Sequence, residues 1–200
     1  YYKINRNYSL AARLMLGKSV GDRPQKFFLG GNSQMMIFSD TQTEGRDDSG
    51  FYAQRVLDYD NTSILEDVYF SEYVFPLRGA RYRERVGENV AVANFEFRFP
   101  FVNYVDVSFP ARIRFGNIFG HLFVDVGAAW DSSDEFNNSE LVRNKYGLTD
   151  PEASPILTTF GIGTKIFTPF ALIRIDTAWD KYPSGGYSKP QYIISFGYDW

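Results

Sequence analysis

Cysteine is absent from this sequence, and histidine occurs once, at His121. Without a thiol the chain can form no disulfide, no thiolate metal site and no cysteine nucleophile. A Ser-His-Asp arrangement would have to be built around that one histidine, which is a weak basis for catalysis. We therefore expect no catalytic, cofactor-binding or metal-ligating residues, and the sequence predicts that the protein is not an enzyme.

Long apolar runs and an excess of one charge are also missing. No segment approaches the roughly 18–20 consecutive apolar residues that a membrane-spanning helix needs, so a helical membrane protein is excluded, whereas a β-barrel is not. The chain has 21 basic and 24 acidic residues, a net charge of -3. This balance does not favour a polyanion-binding surface, and we expect no nucleic-acid partner.

Aromatic residues, by contrast, are abundant. The chain has 19 Phe, 14 Tyr and 3 Trp in 200 residues, yet its mean hydropathy is only -0.30. Many aromatic residues at low mean hydropathy are typical of sheets that are apolar on one face only.

Apolar and polar residues alternate along several segments, which predicts β-strands. The first such segment covers residues 2–17 and is predicted as one strand of about sixteen residues. Within each of these segments the charged residues alternate with the apolar ones and so fall on the opposite face of the predicted strand. Glu96 and Asp125 are examples. The other predicted strands cover residues 91–99, 121–130, 158–166, 171–180 and 191–200.

The predicted connections alternate in length, as they do in outer-membrane barrels. A tight turn is expected at Thr168-Pro169, and polar loops are expected over residues 131–155 and 181–190. Residues 39–87 are predicted as one long loop that has room for short strands or a helical turn of its own. The sequence therefore predicts an all-β fold, an antiparallel transmembrane β-barrel with about seven or eight strands in this chain. Residues 1–200 would form a single barrel domain.

Five motifs occur in an order that resembles a known family. They are Phe27-Phe28-Leu29-Gly30-Gly31, Pro76-Leu77-Arg78-Gly79-Ala80, Asn94-Phe95-Glu96-Phe97-Arg98-Phe99-Pro100, Phe123-Val124-Asp125-Val126-Gly127 and Phe196-Gly197-Tyr198-Asp199-Trp200. Together they resemble the C-terminal half of the bacterial surface antigen superfamily, the barrel shared by BamA, TamA and the two-partner secretion translocases.

The resemblance implies a contact between a loop and the barrel wall. In that family an Arg-Gly motif at the tip of an inward-folded loop meets acidic residues of the inner wall. Arg78 and Gly79 match the tip, while Glu96 and Asp125 match the acidic residues. A purely structural salt bridge inside the barrel explains the same residues, because such networks also make barrels rigid.

The resemblance also assigns a role to the last predicted strand. It implies a C-terminal signal read by the barrel-assembly machinery, and one side of a seam at which a client strand could add. Trp200 is explained equally well as an ordinary aromatic of the membrane interface. The residues of this predicted seam and signal are Tyr192, Ile194, Phe196, Gly197, Tyr198 and Trp200.

The implied function is insertion of outer-membrane proteins, or passage of polypeptide across the bacterial outer membrane, without a cofactor. Expected partners are outer-membrane lipid, client outer-membrane proteins, and periplasmic or lipoprotein partners. Two differences from the family pattern, Ala80 after the glycine and the long gap between Gly31 and Arg78, favour an alternative. In that alternative, a surface-antigen barrel anchors an upstream TolB-like propeller or a partner without transport.

Two further alternatives remain open from the sequence. The strands could just close a small barrel by themselves, whereas the resemblance implies that residues 1–200 are the C-terminal half of a sixteen-stranded barrel whose other strands precede Tyr1. A soluble lipocalin-like barrel is the third class of fold that alternation allows, but its apolar side faces inward.

Overall fold

The computed structural model describes residues 2–4, 7–31, 35–39, 74–81, 84–107, 113–167 and 172–197. A 3₁₀ helix (Ser133–Phe136) and a single α-helix, α1 (Ser139–Tyr146), lie between the eighth and ninth strands of this part of the chain. The strands in chain order are β1 (Tyr2–Lys3), β2 (Ser9–Lys18), β3 (Phe27–Leu29), β4 (Met35–Ser39), β5 (Val74–Phe75), β6 (Arg85–Gly87), β7 (Asn89–Val107), β8 (Ile113–Trp130), β9 (Ile156–Phe167), β10 (Leu172–Lys181) and β11 (Gln191–Gly197).

Eight of the strands in the described residues form one antiparallel sheet, in the order β1-β2-β7-β8-β9-β10-β11-β4. From β7 to β11, each strand pairs with the next one along the chain, so this part is a meander. The prediction of an all-β antiparallel fold is confirmed. β1 and β4 lie at the two ends of the sheet. Neither helix found in the described ranges is long and apolar enough to cross a membrane.

The prediction of one continuous strand over residues 2–17 is wrong. The chain reverses, so that Tyr2 pairs with Leu10 and Lys3 pairs with Ser9. The N–H of Ile4 donates to the carbonyl oxygen of Tyr8 at 3.1 Å. Alternation could not reveal this reversal, because Tyr2 and Leu10 have the same parity and the same face remains apolar on both sides of the turn.

β7 is longer than predicted and contains a proline. Its pairing with β8 runs from Asn89 opposite Trp130 to Val107 opposite Ile113, with a register shift between Pro100 and Val102. Proline has no N–H to donate to a ladder, and within sheets it is therefore found at edges and bulges. The irregularity at this point accommodates the proline without ending the strand.

The large sheet is inverted relative to that of a soluble protein. One face, which we call the open face, carries exposed apolar side chains; examples are Leu14 (68% exposed), Phe95 (55%) and Leu122 (46%). The opposite face, which we call the covered face, carries buried polar and charged side chains, including Asn94, Glu96, His121, Asp125, Lys165, Arg174 and Asp176. This is the parity predicted from the sequence, and it is the reverse of the lipocalin arrangement.

A second sheet of three strands, which we call the small sheet, has the order β5-β3-β6. β3 is parallel to β5 and antiparallel to β6. Its buried Leu29 joins a hydrophobic cluster with Val92 and Ala129, which belong to β7 and β8. The small sheet therefore lies on the large sheet. β5 and β6 belong to the region predicted as a long loop, of which residues 40–73 lie outside the described residues.

Residues 131–155, predicted as a polar loop, contain the two helices. The Asn138 side chain accepts a hydrogen bond from the N–H of Glu140 and caps the start of α1. Gly147 ends α1 in a left-handed conformation with φ 62°. Both positions carry the residue types that helix ends favour. The expected turn at Thr168-Pro169 lies outside the described residues, although Phe167 and Leu172 on either side of it are paired.

Candidate functional site

A tight turn over residues 77–80 brings an arginine to the covered face. The N–H of Ala80 donates to the carbonyl oxygen of Leu77 at 3.2 Å, which closes the turn. Gly79 has φ +81°, the conformation that a type II turn requires at its third residue. A Cβ at Gly79 would also lie 2.7 Å from the Cβ of Ala178. Glycine therefore lets the turn approach the wall closely with Arg78 as its second residue.

Arg78 binds two carboxylates of neighbouring strands. Its Nε and Nη2 donate to Asp125 Oδ2 and Oδ1 at 2.7 and 2.8 Å, and its Nη1 donates to Glu96 Oε2 at 2.9 Å. The side chains of Asp125 and Glu96 are 0% exposed, and that of Arg78 is 5% exposed. A bidentate, buried, charge-assisted contact of this kind is both strong and geometrically specific.

The strand register explains how one guanidinium reaches both acids. Glu96 lies opposite Phe123, and Asp125 follows Phe123 by two residues on the same face of β8. The two acids are thus diagonal neighbours on β7 and β8, and Phe123 adjoins both of them. The guanidinium carbon of Arg78 lies 3.8 Å from the centre of the Phe123 ring. Gly161, across from Phe123 on β9, leaves room for this ring, since a Cβ there would lie 2.5 Å from it.

Glu96 has two further cationic partners that the sequence did not assign to the site. Arg98 Nε lies 2.5 Å from its Oε1, and Lys165 Nζ also donates to Oε1. In the alternating pattern, both residues fall on the polar face of their strands. The sequence could therefore indicate the face on which they lie, but not the residues that they contact. Their assignment to the site required the register that places β7, β8 and β9 side by side.

A second close pair of polar side chains lies on the same face. His121 Nε2 is 2.8 Å from Asp176 Oδ1, and both side chains are 0% exposed. The contact is a close approach without the geometry of a directed hydrogen bond. Both residues lie opposite Gly163, on its two sides. Because glycine has no side chain to separate them, His121 and Asp176 meet across β9.

A third cluster lies at the end of the sheet next to the helices. Asp131 forms salt bridges with two lysines: its Oδ1 lies 2.9 Å from Lys26 Nζ, and its Oδ2 lies 2.9 Å from Lys145 Nζ. Burial alone would raise the pKa of Asp131, but the hydrogen bonds from the two lysines outweigh it and hold the pKa below its ordinary value. Lys145 also binds Glu135. The two lysines compensate the charge of Asp131 and Glu135, and within the described ranges no group of three or more His, Cys, Asp or Glu side chains is placed to hold a metal ion.

Tyr146 of α1 completes the edge of the small sheet. Its hydroxyl donates to the carbonyl oxygen of Val86 at 2.8 Å and accepts from the N–H of Val86 at 3.1 Å. One hydroxyl thus satisfies both backbone groups of a β6 residue, as a neighbouring strand would. Burial raises the pKa of Tyr146. Sequence reasoning missed this contact, because it treated the segment as an unstructured loop.

The predicted seam residues are only partly described. Tyr192 is 57% exposed on the open face, and the side chains of Ile194 and Phe196 are half-buried. Gly197 ends β11, while Tyr198 and Trp200 lie outside the described residues. Their roles as a seam and an assembly signal stay predictions.

One short sequence has the spacing of a hydrolase nucleophile motif, Gly17-Lys18-Ser19-Val20-Gly21. It ends β2 and leads into bends rather than into a helix. Ser19 Oγ accepts a hydrogen bond from the N–H of Gln25 at 2.6 Å. A nucleophile elbow requires a strand-to-helix turn, so this serine is part of the loop structure.

Comparison with known proteins identifies the family. A family model described as the Omp85 superfamily domain matches residues 1–199. No curated protein and no solved structure matches the chain significantly. The matched range contains every strand of both sheets and all three clusters described above.

Proposed function

The chain belongs to the Omp85 superfamily, and on that premise we propose that it is the C-terminal part of an outer-membrane β-barrel that inserts outer-membrane proteins or passes polypeptide across the membrane. The superfamily as a whole acts in protein insertion and translocation at the bacterial outer membrane. The finer assignment, a barrel of the BamA type with client outer-membrane proteins as partners, belongs to this proposal.

The inverted sheet is the observation that carries the proposal. Apolar side chains such as Leu14, Phe95 and Leu122 cover the open face. In water this face would be a large exposed apolar surface, which is unfavourable for a soluble protein. The hydrocarbon core of a bilayer solvates such a face. The covered face holds polar and charged groups that contact one another or Arg78. This distribution supports an outer-membrane location with lipid on the open side and a polar interior on the other.

The small sheet fits the interior of such a barrel, because it packs on the covered face of the large sheet. In the proposed barrel, residues 1–200 form a single domain and the small sheet with its Arg78 turn lies inside the polar cavity. β11 would provide one side of the seam. Because recognition at a strand edge uses main-chain hydrogen bonds, such a seam could accept client strands of many sequences. No cofactor or covalent step is needed.

The contacts of Arg78 also favour a second candidate function. Two carboxylates hold this arginine through three hydrogen bonds, which suits a permanently closed interior. In this candidate the barrel anchors an upstream TolB-like propeller or a partner protein and transports nothing.

Reconstitution of the whole native protein in lipid vesicles separates the two candidates. The measurement is the rate at which an unfolded outer-membrane protein becomes folded and protease-resistant in those vesicles. We expect a faster rate than in protein-free vesicles, and a slower rate for Arg78→Lys, which keeps the charge but loses the bidentate fork. Arg143→Lys, at an exposed position of α1, is the matched control and should behave like the wild type.

An insertion rate equal to that of protein-free vesicles, with the barrel correctly assembled, would favour the anchoring function. Equal insertion rates for Arg78→Lys and the wild type would show that insertion does not depend on the contact of Arg78 with the wall.

A further inference from the structure

The loop between β10 and β11 begins as a short hairpin that carries two lysines on one face. Lys181, the last residue of β10, forms an antiparallel bridge with Tyr187. The N–H of Ser188 donates to the carbonyl oxygen of Asp180 at 2.9 Å. Since successive side chains of paired strands alternate between faces, Lys181, Tyr187 and Lys189 share one face. All three are exposed, whereas Asp180, on the other face, is buried.

Aromatic contacts show that this face is the open face. The Tyr187 ring meets the Phe160 ring of β9 edge to face, with their centres 5.4 Å apart. Phe160 in turn stacks on Trp179 of β10, with the ring centres 5.8 Å apart. Phe160 has the parity of Ile162, which is 47% exposed on the open face. The two lysines therefore lie at the end of the open face, next to a row of aromatic rings.

We call these five residues the rim patch; they are Phe160, Trp179, Lys181, Tyr187 and Lys189. Among the described residues, neither lysine forms an ion pair with an acidic side chain. Because Lys181 lies opposite Tyr187, Lys189 is its diagonal neighbour, and such neighbours are about 7–8 Å apart. Two like charges at this separation repel each other, so the rim patch has two cations whose charge no described residue compensates.

We propose that the rim patch binds the phosphomonoester headgroup of a membrane lipid. A phosphate monoester carries a charge of about -1.5 to -2 near neutral pH, which matches the two lysines. Lysine binds phosphate as a flexible point charge, and its long stem lets the ammonium group reach the headgroup level from an apolar surface.

The aromatic rings favour a lipid over a free phosphate ion. Phe160 and Trp179 are half-buried on the open face directly beside the lysines, where acyl chains would pack against them. Tryptophan and tyrosine are the side chains that favour the boundary between hydrocarbon and headgroups. This step rests on the proposed function, which places lipid on the open face.

The hairpin holds the two lysines in place before any ligand binds. The N–H of Tyr182 donates to the carbonyl oxygen of Gly186 at 3.1 Å, and Gly186 has φ +94°. Asp180 donates its N–H to Ser188 Oγ at 2.9 Å. At the tip, Ser184 Oγ donates to Asp150 Oδ2 at 2.9 Å, which ties the hairpin to the segment before β9. A site ordered in advance loses less conformational freedom on binding.

Lipid retention by the full native protein in a neutral detergent tests the site. Phosphatidic acid, a phosphomonoester lipid, is the probe, and native mass spectrometry measures the bound lipid during a titration. We expect Lys181→Gln and Lys189→Gln each to weaken retention about tenfold, because each removes one charge-assisted hydrogen bond. Phosphatidylglycerol, a diester with a single charge, should bind the wild type more weakly than phosphatidic acid does.

Two further variants serve as controls. Lys18→Gln removes an exposed lysine at the same end of the open face, opposite Asn89, and should retain phosphatidic acid like the wild type. The double variant Lys181→Arg with Lys189→Arg keeps both charges and should also retain it. All the substituted positions are exposed, and the tryptophan fluorescence of each variant checks that the fold is kept.

Equal retention by the wild type and the two glutamine variants of the rim patch would overturn the site. An equal loss in Lys18→Gln would overturn it as well, since it would show a general attraction to basic surface groups. Displacement of the lipid by inorganic phosphate at the same concentration would show a site for a free anion and overturn the lipid assignment. If the wild type retains phosphatidic acid but shows no activity in the vesicle insertion assay, the insertion function fails and the lipid site stands.

Discussion

Replacing Arg78 should leave one buried charge, the carboxylate of Asp125, without its hydrogen-bond partner. In Arg78→Met, Glu96 keeps Arg98 and Lys165 as partners, whereas Asp125 loses both hydrogen bonds of the arginine fork. The Asp125 side chain is 0% exposed, so water cannot replace these bonds. Hydrogen bonds to charged groups contribute roughly 1.5–3 kcal/mol each, and loss of one partner of a buried pair costs about 3–5 kcal/mol. We expect a loss of about 3–5 kcal/mol.

The double variant Arg78→Met with Asp125→Asn tests the origin of this loss. It removes the unpaired charge, so we expect it to recover part of the stability, with a coupling energy of about 2–3 kcal/mol between the two positions. The assay is equilibrium unfolding of the native protein in lipid vesicles by denaturant, followed by tryptophan fluorescence. Arg143→Met, at an exposed position of α1, is the control and should change stability by less than about 0.5 kcal/mol.

Additive effects of the two substitutions would refute the reasoning, because they would show that Asp125 does not depend on Arg78. A cost below about 1 kcal/mol for Arg78→Met alone would contradict it as well, since that is the size expected for an exposed pair.

Two further predictions concern the open face and the cluster at the end of the sheet. Leu122→Arg, in the middle of β8, should destabilise the protein in bilayers by about 2–4 kcal/mol, whereas Leu141→Arg, at an equally exposed position of α1, should change stability little; equal costs in the same unfolding assay would contradict the lipid-facing assignment. The depressed pKa of Asp131 contributes stability that is present above its unfolded pKa near 3.8 and lost as the pH falls through the folded value. The raised pKa values of Lys26 and Lys145 contribute stability that is present below 10.5 and lost as the pH rises through their folded values. The protection factors of the α1 amides, which are their exchange rates corrected for the intrinsic pH dependence of exchange, should therefore be high at neutral pH and fall at both extremes, and Asp131→Asn should abolish the acid response; an unchanged acid response in that variant would show that another group controls it.

The faces of the strands could be predicted from the sequence because burial on one side imposes a period of two. Leu122, Glu96 and Asp125 all lie on the faces that their parity indicates. The alternation of apolar and polar residues contains no information on the direction of the chain, however. It could not detect the reversal between Tyr2 and Leu10, since a hairpin in even register leaves the alternation intact.

Contacts that depend on the register between strands were beyond sequence reasoning. Lys165 joins Glu96, and His121 meets Asp176, only because β7, β8, β9 and β10 stand at particular offsets. The helix α1 was missed for a different reason. Its residues are mostly polar, and its packing depends on Val142 and Tyr146, which are too few to give a clear helical period.

The contacts that fix the small sheet determine the order in which the molecule can be assembled. Arg78 contacts Asp125, which lies 47 residues further along the chain. Val86 contacts Tyr146, 60 residues further along, and Lys26 contacts Asp131, 105 residues further along. A chain synthesised from its N-terminus therefore carries β3 and the Arg78 turn for a long interval before their partners exist. The contacts that hold the small sheet on the large sheet can therefore be completed only once β8 and α1 are in place.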